Sequence, residues 1–350
     1  MHTIDIVHHI SPLEFNQQYF QEHKPVLIKG GGKDSKSFNH WSFDYLKNRF
    51  PERPVRVFYS ETGYYNGNLQ DMMTPFLAPF GEAIDYCNSG KYDNKSYYMK
   101  MLSLPEVFPE LMNELELPKW NLPTDVFDSV NLWIGGAGCI TSLHFDFAHN
   151  FFMQIVGRKE FTLFSPKDTP NLYPSPMGKT NVSQLNLEAV DYEKFPLFRN
   201  ATPLKVVVEP GDILFNPPGW WHHVRSLDNA ISLTSWWHRF ELINGIGLEH
   251  FPVQEITEDI GRYLAAGMSI DHKGLDGEYL MISAIQKGFT NVVEALLTLG
   301  GNPNLISIQY RPSQSAMAIA KELGHEKIVR LLQQYGAKER QPDMTDSSVS

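Results

Sequence analysis

The segment from residue 130 to residue 240 consists of short runs of β-branched and aromatic residues that Gly, Pro and Asp separate. Short apolar runs bounded by turn residues are typical of β-strands. Many such strands at regular spacing favour a β-sandwich, a jelly roll or a small barrel. The clearest runs are VNLWIGG, FFMQIV, EFTLFS, LKVVVEPGDILFNPP and AISLTSWWHRF. We therefore predict a mainly β fold whose barrel core lies at about 130–240.

Two turns inside this segment are predicted to close hairpins, because Gly, Pro and Asp favour tight turns. One is Gly157-Arg158, and the other is Glu209-Pro210-Gly211-Asp212. A longer, Pro-rich connection runs from Asp168 to Asn200. Connections of that length are usually either functional or disordered.

The first 130 residues predict helices that flank the barrel. In SPLEFNQQYFQEH, Ser11 is a candidate N-cap and Glu14 follows three residues later, which is the capping-box pattern. KPVLIKG predicts a short strand, and SFDYLKNRF and TPFLAPFGEAIDYC predict further helices. We assign residues 1–240 to one domain that contains the barrel and these helices.

An internal repeat marks the C-terminal region. AIQKGFTNVVEALLTLGGNPN and IAKELGHEKIVRLLQQYGAK superpose with a spacing of 36 (324 − 288) between Gly288 and Gly324. This period, with Gly at the helix ends, resembles ankyrin repeats, although their TPLH signature is missing. A plain helical domain is the alternative. The predicted segments are a linker at 241–257, an all-α ankyrin-like repeat domain at 258–338 and a disordered tail at 339–350.

Charge and cysteine content restrict the partners and the compartment. The net charge is −10 and no basic tract occurs, which argues against non-specific binding to nucleic acid or anionic membranes. Two cysteines cannot form a disulfide framework, which suits a reducing cytosol. The N-terminus does not read as a signal peptide, and no run of about 18 apolar residues predicts a membrane span. We predict a cytoplasmic protein, with the nucleus, or a host cell if the source is a pathogen, as alternatives; the oligomeric state stays open.

Histidines and an acid interrupt one of the predicted strands, TSLHFDFAHN. His144 and Asp146 are two residues apart, so on a strand they share a face. A distant run, PGDILFNPPGWWHHV, offers His222 or His223 as a third ligand. Two histidines and one carboxylate form a facial triad that suits non-haem Fe(II), but these ligands also bind zinc and manganese. The alternative is that the histidine of the second run only bonds a backbone carbonyl.

Three stretches together resemble one family over about residues 10–240: LHFDFAHNFFMQIVGRKEFTLFSP, NLYPSPM with DYEKFPLFRN, and VEPGDILFNPPGWWHHV. That family is the Jumonji C (cupin-like) Fe(II)/2-oxoglutarate-dependent oxygenases, and its nearest branch is the asparaginyl hydroxylase of hypoxia-inducible factor. The resemblance implies a double-stranded β-helix, of the jelly-roll or cupin barrel type. It also implies a dioxygenase that uses Fe(II), 2-oxoglutarate as co-substrate and O2.

The resemblance also implies a ligand set for the iron. The matching positions are His144, Asp146 and His222, because the first histidine of the WHH run is the ligand in the family. His223 is then structural or supports the ligands, and His149 is a loop residue.

Four further residues match positions that bind the co-substrate. Lys159 falls where the family lysine meets the distal carboxylate of 2-oxoglutarate, and a buried cation needs an anionic partner. Thr141 and Tyr98 match hydroxyl groups that share this carboxylate, although Tyr97 adjoins Tyr98. Asn150 matches a polar position near the iron.

Two local expectations accompany this assignment. Thr141 and His144 are three residues apart, so a bend or bulge must lie between them if both face the same cavity. Aromatic residues near the motifs are candidates for an apolar wall, although ordinary packing is the expected role of at least two of them. These candidates are Trp220, Trp221, Phe145 and Phe151.

The function that the resemblance implies is hydroxylation of a protein side chain of the Asn, Asp, His or Lys class. The polar pair with which the asparaginyl hydroxylase binds its target amide would fall near Asn181 and Val182, which are poorer hydrogen-bond donors. The resemblance therefore does not identify the target residue of this protein. The ankyrin-like repeats are predicted to recruit the protein substrate, because stacked repeats present extended binding surfaces. One alternative is a non-catalytic cupin scaffold whose repeats bind a protein partner, and another is a zinc or manganese isomerase.

Overall fold

The computed structural model describes residues 3–65, 75–89, 95–115, 129–146, 148–175, 181–237, 252–265, 269–271, 278–307 and 314–338. The chain divides into two compact units at about residue 238. A helix that begins at Val253 occupies the end of the predicted linker, whose residues 241–251 lie outside the described residues. The predicted tail also lies outside them.

Two β-sheets dominate the first unit. The strands in chain order are β1 (Asp5–Val7), β2 (Val26–Ile28), β3 (Pro54–Ser60), β4 (Tyr64–Tyr65), β5 (Phe76–Pro79), β6 (Ser96–Ser103), β7 (Ser129–Gly135), β8 (Ile140–Phe145), β9 (His149–Val156), β10 (Lys159–Phe164), β11 (Leu204–Val208), β12 (Ile213–Asn216), β13 (Trp221–Ser226) and β14 (Ala230–Trp237). The large sheet has the order β1-β2-β12-β9-β14-β7-β6-β3-β5, and the small sheet has the order β11-β10-β13-β8-β4.

The last eight strands form the jelly roll that the sequence predicts. Strands β7, β14, β9 and β12 are neighbours in the large sheet, and β8, β13, β10 and β11 are neighbours in the small sheet. Apolar side chains of both sheets meet in one buried cluster, in which Phe152 and Leu214 of the large sheet join Phe161, Leu163 and Val224 of the small sheet. Successive side chains of a strand point to opposite faces, so these residues bury one face of each sheet against the other.

The two predicted hairpins are wrong. Gly157-Arg158 joins β9 to β10, but these strands belong to different sheets and do not pair with each other. Glu209-Pro210-Gly211-Asp212 likewise connects β11 of the small sheet to β12 of the large one. The same turn residues serve both kinds of connection, so the local sequence identifies the turn without identifying the strand partners.

Gly157 allows a test of this sheet-to-sheet connection. It has a φ of +72°, and an added Cβ would lie 2.2 Å from the carbonyl oxygen of Asn229. Gly138 has a similar φ of +82°, but an added Cβ would meet nothing within 4 Å. We expect Gly138→Ala to lower the free energy of unfolding by about 1 kcal/mol through backbone strain alone. Gly157→Ala should lower it by about 3 kcal/mol or more, because a steric clash adds to the strain. Thermal unfolding of the two variants measures the difference, and equal melting temperatures would contradict the expectation.

Helices and short helical turns cover the outer face of the large sheet. The helices of the first unit are α1 (Pro12–Phe15), α2 (Lys36–His40), α3 (Phe43–Arg49), α4 (Phe80–Asn88) and α5 (Leu104–Val107). A π-helical turn spans Asn16–Phe20 and a 3-10 turn spans Pro109–Glu114. Two other 3-10 turns, Pro166–Asn171 and Pro196–Asn200, lie in the connection between β10 and β11 and pack on the side of the small sheet. The predicted capping box is confirmed, because the Glu14 amide donates to Ser11 Oγ and the Ser11 amide donates to Glu14 Oε2. The segment predicted as one helix before Cys87 is only partly helical, since its first residues form the edge strand β5.

The long connection between β10 and β11 is ordered in its described part. Its side chains form an apolar cluster with Trp221 that includes Leu172, Leu185 and Phe195. Val182 makes an isolated antiparallel bridge with His144, and the Ser183 amide donates to the Leu143 carbonyl. The connection thus lies along β8, the strand that carries the first candidate ligand.

The second unit contains two similar helix pairs. Its helices are α6 (Val253–Ala265), α7 (Leu280–Gln286), α8 (Thr290–Thr298), α9 (Ala316–Glu322) and α10 (Glu326–Gln334). Each pair combines a helix of seven residues with one of nine. The turn glycines correspond as predicted, with φ of 74° at Gly288 and 72° at Gly324. The 36-residue repeat is thus a structural repeat, while its assignment to ankyrin repeats stays a prediction. None of the described helices is long and apolar enough to cross a membrane.

Candidate metal centre

The three predicted ligands lie together on adjacent strands of the small sheet. His144 is near the end of β8, Asp146 directly follows this strand, and His222 lies on β13 opposite His144 in the antiparallel register. One ligand atom of each residue lies within 4.8 Å of those of the other two. His144 and His222 are 78 residues apart in sequence (222 − 144), and the pairing of β8 with β13 brings them together.

The distances within the triad suit a shared cation. His144 Nε2 lies 3.9 Å from Asp146 Oδ1, and His222 Nε2 lies 3.7 Å from Asp146 Oδ2. Both distances are too long for a hydrogen bond. Neither exceeds twice a metal–ligand bond of about 2.1 Å, so one ion could contact both members of each pair.

Backbone carbonyls orient both histidine rings. His144 Nδ1 lies 2.7 Å from the Ser142 carbonyl, and His222 Nδ1 lies 3.0 Å from the Trp220 carbonyl. A carbonyl only accepts hydrogen bonds, so Nδ1 carries the proton in each ring and Nε2 keeps a free lone pair. Burial, together with the neighbouring His144, lowers the pKa of His222 to about 4. His222 is therefore neutral near pH 7, the form in which histidine binds metals.

His223 lies on the other face of β13. Its Nε2 is 3.5 Å from Glu188 Oε1, and its ring packs 6.4 Å from that of Tyr64, measured between centroids. Glu188 also pairs with Arg225, two residues further along the strand. The alternation of a strand thus points only one histidine of the pair into the triad, in agreement with the choice of His222.

The interpretation of His149 as a loop residue is wrong. His149 is the first residue of β9, and 2% of its surface is exposed. Its ring stacks on Phe215 and Trp237, with centroid distances of 5.8 and 5.3 Å. Because Asn150 lines the cavity beside the triad, the preceding residue His149 points to the other side of the sheet.

The predicted bulge in β8 is confirmed. His222 pairs with His144 and Val224 pairs with Thr141, so β8 carries one more residue than β13 over this stretch. The extra residue restores the alternation, and Thr141 and His144 both line the same cavity.

A cavity that opens to solvent extends from the triad between the two sheets, and its empty space, the open mouth included, is about 390 Å³. Lys159 lines it with only 1% of its surface exposed. Its Nζ lies 3.4 Å from the Tyr98 hydroxyl, and in the described part of the chain no carboxylate pairs with it. Burial lowers the pKa of Lys159 to about 8. The complete lining is Tyr98, Trp133, Thr141, His144, Asp146, Asn150, Phe152, Lys159, Phe161, His222, Val224, Thr234 and Trp236.

The remaining predicted co-substrate residues lie in this cavity. Thr141 hydrogen-bonds the Tyr98 hydroxyl, and burial raises the pKa of Tyr98. The neighbouring Tyr97 packs in the core behind the large sheet, so Tyr98 is the tyrosine of the site. Asn150 is buried, and its Oδ1 lacks a hydrogen-bond partner among the described residues.

None of the four predicted aromatic residues lines the cavity, so the predicted wall is wrong, while the expectation that at least two of them serve ordinary packing is confirmed. Trp221 and Phe145 pack under the long connection, Phe151 lies in the core behind the large sheet, and Trp220 packs at the edge of the cluster between the sheets. Alternation explains this, since residues adjacent to inward-facing His222 and Asn150 must face outward. The aromatic residues that line the cavity are Trp133, Phe152, Phe161 and Trp236.

Several residues of the site were not predicted from the sequence, among them Trp236 and Asn216. Trp236 lines the cavity, and Asn216 contacts His222. Trp236 lies two residues after Thr234 on β14, so an alternating assignment of that strand would have placed both on one face. Asn216 had no comparable signal, because its role depends on the pairing of β12 with β9.

Comparison with known proteins agrees with this architecture. A cupin-like domain model matches residues 12–242, about two thirds of the chain. The chain belongs to the cupin-like domain family. JmjC domain-containing protein D of Dictyostelium discoideum is 34% identical over 240 residues, which cover 63% of this chain and 53% of that protein. Lysine-specific demethylase 8 of Danio rerio is 33% identical over 236 residues, which cover 65% of this chain and 57% of that protein.

A third relative differs in name. The tRNA wybutosine-synthesizing protein 5 of Gallus gallus is 27% identical over 240 residues, covering 64% of this chain and 73% of that protein. The cupin-like chain spans little more than half the length of the first two relatives. Several of the relatives are named as JmjC domain-containing proteins. The closer similarity to the asparaginyl hydroxylase stays a prediction.

Proposed function

We propose that this cupin-like protein is an Fe(II)- and 2-oxoglutarate-dependent dioxygenase that hydroxylates a protein side chain. The observation that carries the proposal is a single cavity that combines the triad of His144, Asp146 and His222 with the buried Lys159. The triad offers ligands to a metal ion, and the lysine offers a positive charge to an anion.

The residues present fit both iron and 2-oxoglutarate. Two neutral imidazoles and one carboxylate form the ligand set that non-haem Fe(II) oxygenases use, and it leaves three coordination positions open. A buried ammonium group without a carboxylate partner is costly, and the distal carboxylate of a dicarboxylic acid would compensate it. When bound, the iron and 2-oxoglutarate supply the oxidising chemistry through oxidative decarboxylation with O2.

The protein supplies position and shielding. His144, Asp146 and His222 would hold the iron, with both rings fixed by their carbonyl partners. Lys159 would bind the distal carboxylate together with the hydroxyls of Tyr98 and Thr141, which already hydrogen-bond each other. The side chains of the cavity wall would exclude water from the reacting groups.

Two other functions fit the cavity less well. A non-catalytic scaffold has no need of an uncompensated buried cation, which lowers stability. A zinc or manganese isomerase would use the triad but would leave Lys159 without a ligand. 2-Oxoglutarate would account for both the triad and Lys159, because its 2-oxo acid end can chelate the metal and its distal carboxylate can pair with the lysine.

The net charge of the chain and the helical repeats of the second unit both bear on the substrate class. A net charge of −10 does not favour an RNA substrate, although one relative is named for tRNA modification. A protein substrate recruited by the helical repeats agrees with the extended surfaces that repeats present. Another relative is named a lysine demethylase, so hydroxylation at an N-methyl carbon, which leads to demethylation, is the alternative outcome.

Anaerobic addition of Fe(II) and then 2-oxoglutarate tests the proposed function. A weak visible absorption band that requires both additions is expected, because the keto acid chelates an iron that the triad holds. Succinate should then form in air only when both are present. A protein that binds zinc but gives no band and no succinate would support the isomerase, and one that binds no metal would support the scaffold.

The pKa of Lys159 predicts how 2-oxoglutarate binding depends on pH. Below a pKa of about 8 the ammonium form pairs with the carboxylate, and above it the neutral amine does not. We expect the affinity to be level from about pH 6.5 to 7.5 and to fall towards tenfold per pH unit above about pH 8. Anaerobic titration calorimetry of the Fe(II)-loaded protein measures this. Lys159→Arg should abolish the pH dependence, because arginine stays charged, and a level wild-type curve up to about pH 9.5 would contradict the prediction.

A further inference from the structure

A second residue contacts the buried nitrogen of His222. Asn216 is the last residue of β12, and its side-chain nitrogen Nδ2 lies 3.2 Å from His222 Nδ1. Only 2% of the Asn216 surface is exposed. β12 belongs to the large sheet and β13 to the small one, so this contact joins the two sheets beside the triad.

The Trp220 carbonyl limits how the contact can be made. This carbonyl requires the proton of His222 on Nδ1, and a protonated Nδ1 can no longer accept a hydrogen bond. Asn216 Nδ2, which faces the ring, cannot donate a hydrogen bond to a protonated Nδ1. The contact is a hydrogen bond only when the Asn216 amide is turned by 180°, so that Oδ1 takes the place of Nδ2 and accepts the Nδ1 proton. Asn216 Oδ1 has no other partner among the described residues, so this orientation also satisfies an otherwise unpaired buried acceptor.

Asn150, the cross-strand neighbour of Asn216, offers its Oδ1 as an acceptor for the NH2 group of Asn216. Asn150 pairs with Asn216 in the register of β9 with β12, and its Oδ1 also lacks a partner in the described residues. With Asn216 Oδ1 on His222, the Asn216 NH2 group is free to donate to Asn150 Oδ1. Asn150 would then present its own NH2 group to the cavity.

We propose that Asn216 is a positioning residue that holds His222 in its metal-binding tautomer through Nδ1–H···Oδ1, and links it to Asn150. The inference rests on the proposed function, because it assigns a role towards the metal. Hydrogen bonds from a second residue to a ligating histidine fix the ring and raise its basicity, and their loss typically weakens metal binding about 10–100-fold. The Trp220 carbonyl lies directly before β13, the strand of His222, so among the hydrogen-bonding contacts of the described residues the one from Asn216 reaches the ring from the opposite sheet.

Two substitutions of similar size separate this role from simple packing. Asn216→Leu fills the space without an acceptor, whereas Asn216→Asp keeps an oxygen facing Nδ1 and loses the NH2 group. We expect Asn216→Leu to raise the Co(II) dissociation constant about 10–100-fold and Asn216→Asp to stay close to the wild type. Packing alone would predict the reverse, with leucine tolerated and a buried aspartate harmful. Co(II) absorption titrations of the full-length protein, without 2-oxoglutarate, measure the constants, and melting temperatures show whether each variant folds.

A measurement on the unsubstituted protein keeps the inference testable if the variants do not fold. In the metal-free wild type, two-bond ¹⁵N–¹H correlation spectra of labelled histidine report which ring nitrogen carries the proton. His222→Gln identifies the His222 signals. A proton on Nδ1 is expected, and a proton on Nε2 would overturn the inference.

The outcomes also separate this inference from the proposed function. If the wild type binds no Co(II), the proposed function fails and the role of Asn216 fails with it. If the wild type binds Co(II) and Asn216→Leu binds it equally well, only the role of Asn216 is overturned.

Discussion

Alanine at His144, Asp146 or His222 is expected to lower the turnover of 2-oxoglutarate by more than about a hundredfold while the protein stays folded. Each substitution removes one of the three ligands whose donor atoms meet in the cavity. The fold should tolerate the change, because the core between the sheets is formed by other residues. Succinate production with saturating Fe(II) gives the activity, and the melting temperature gives the folded state.

His223→Ala is the matched control for His222→Ala. His223 adjoins His222 in sequence and is equally buried, but it contacts Glu188 on the opposite face of the strand. We expect this variant to keep most of the activity, with some loss of stability where the long connection packs. If His223→Ala abolished turnover and His222→Ala did not, the third ligand would be wrongly assigned. Wild-type turnover by His144→Ala or Asp146→Ala would refute the metal site itself.

The strands of the barrel were predictable from the sequence, but their partners were not. Runs such as EFTLFS and ILFN are short, apolar and bounded by turn residues, which is the pattern that predicts β10 and β12. The turn at Gly157 only shows that the chain reverses there. Whether the next strand pairs with the previous one or crosses to the facing sheet depends on contacts between residues far apart in sequence, such as Lys159 with Ser226.

The same limit applies to the candidate site. The triad was predictable because His144 and Asp146 lie two residues apart and because the family motif identifies His222. The aromatic wall was not predictable in this way. A residue directly next to a ligand on a strand, such as Trp221 beside His222, points to the opposite face. Asn216 contacts His222 because the two sheets pack face to face, and no local sequence pattern predicts this contact.

Lys159→Met is expected to raise the apparent Michaelis constant for 2-oxoglutarate by roughly two orders of magnitude, which corresponds to about 2.7 kcal/mol. Charge-assisted hydrogen bonds to carboxylates are stronger than neutral ones, and Lys159 is the buried cation that lines the cavity. Methionine has a similar length and removes the charge without opening a large cavity. The empty protein should become more stable, because an uncompensated buried ammonium group is removed.

Three measurements on Lys159→Met together decide its role. Co(II) affinity should change little, because no ligand of the triad is altered. Lys205→Met provides a matched control on the neighbouring strand, since Lys205 pairs with Glu160 and is largely exposed; its constants should equal those of the wild type. A lysine that only fills space would give an unchanged Michaelis constant, and one that supports the fold would give a lower melting temperature. A raised Michaelis constant, with unchanged Co(II) affinity and an equal or higher melting temperature, is the combination that requires Lys159 to bind the carboxylate of the co-substrate.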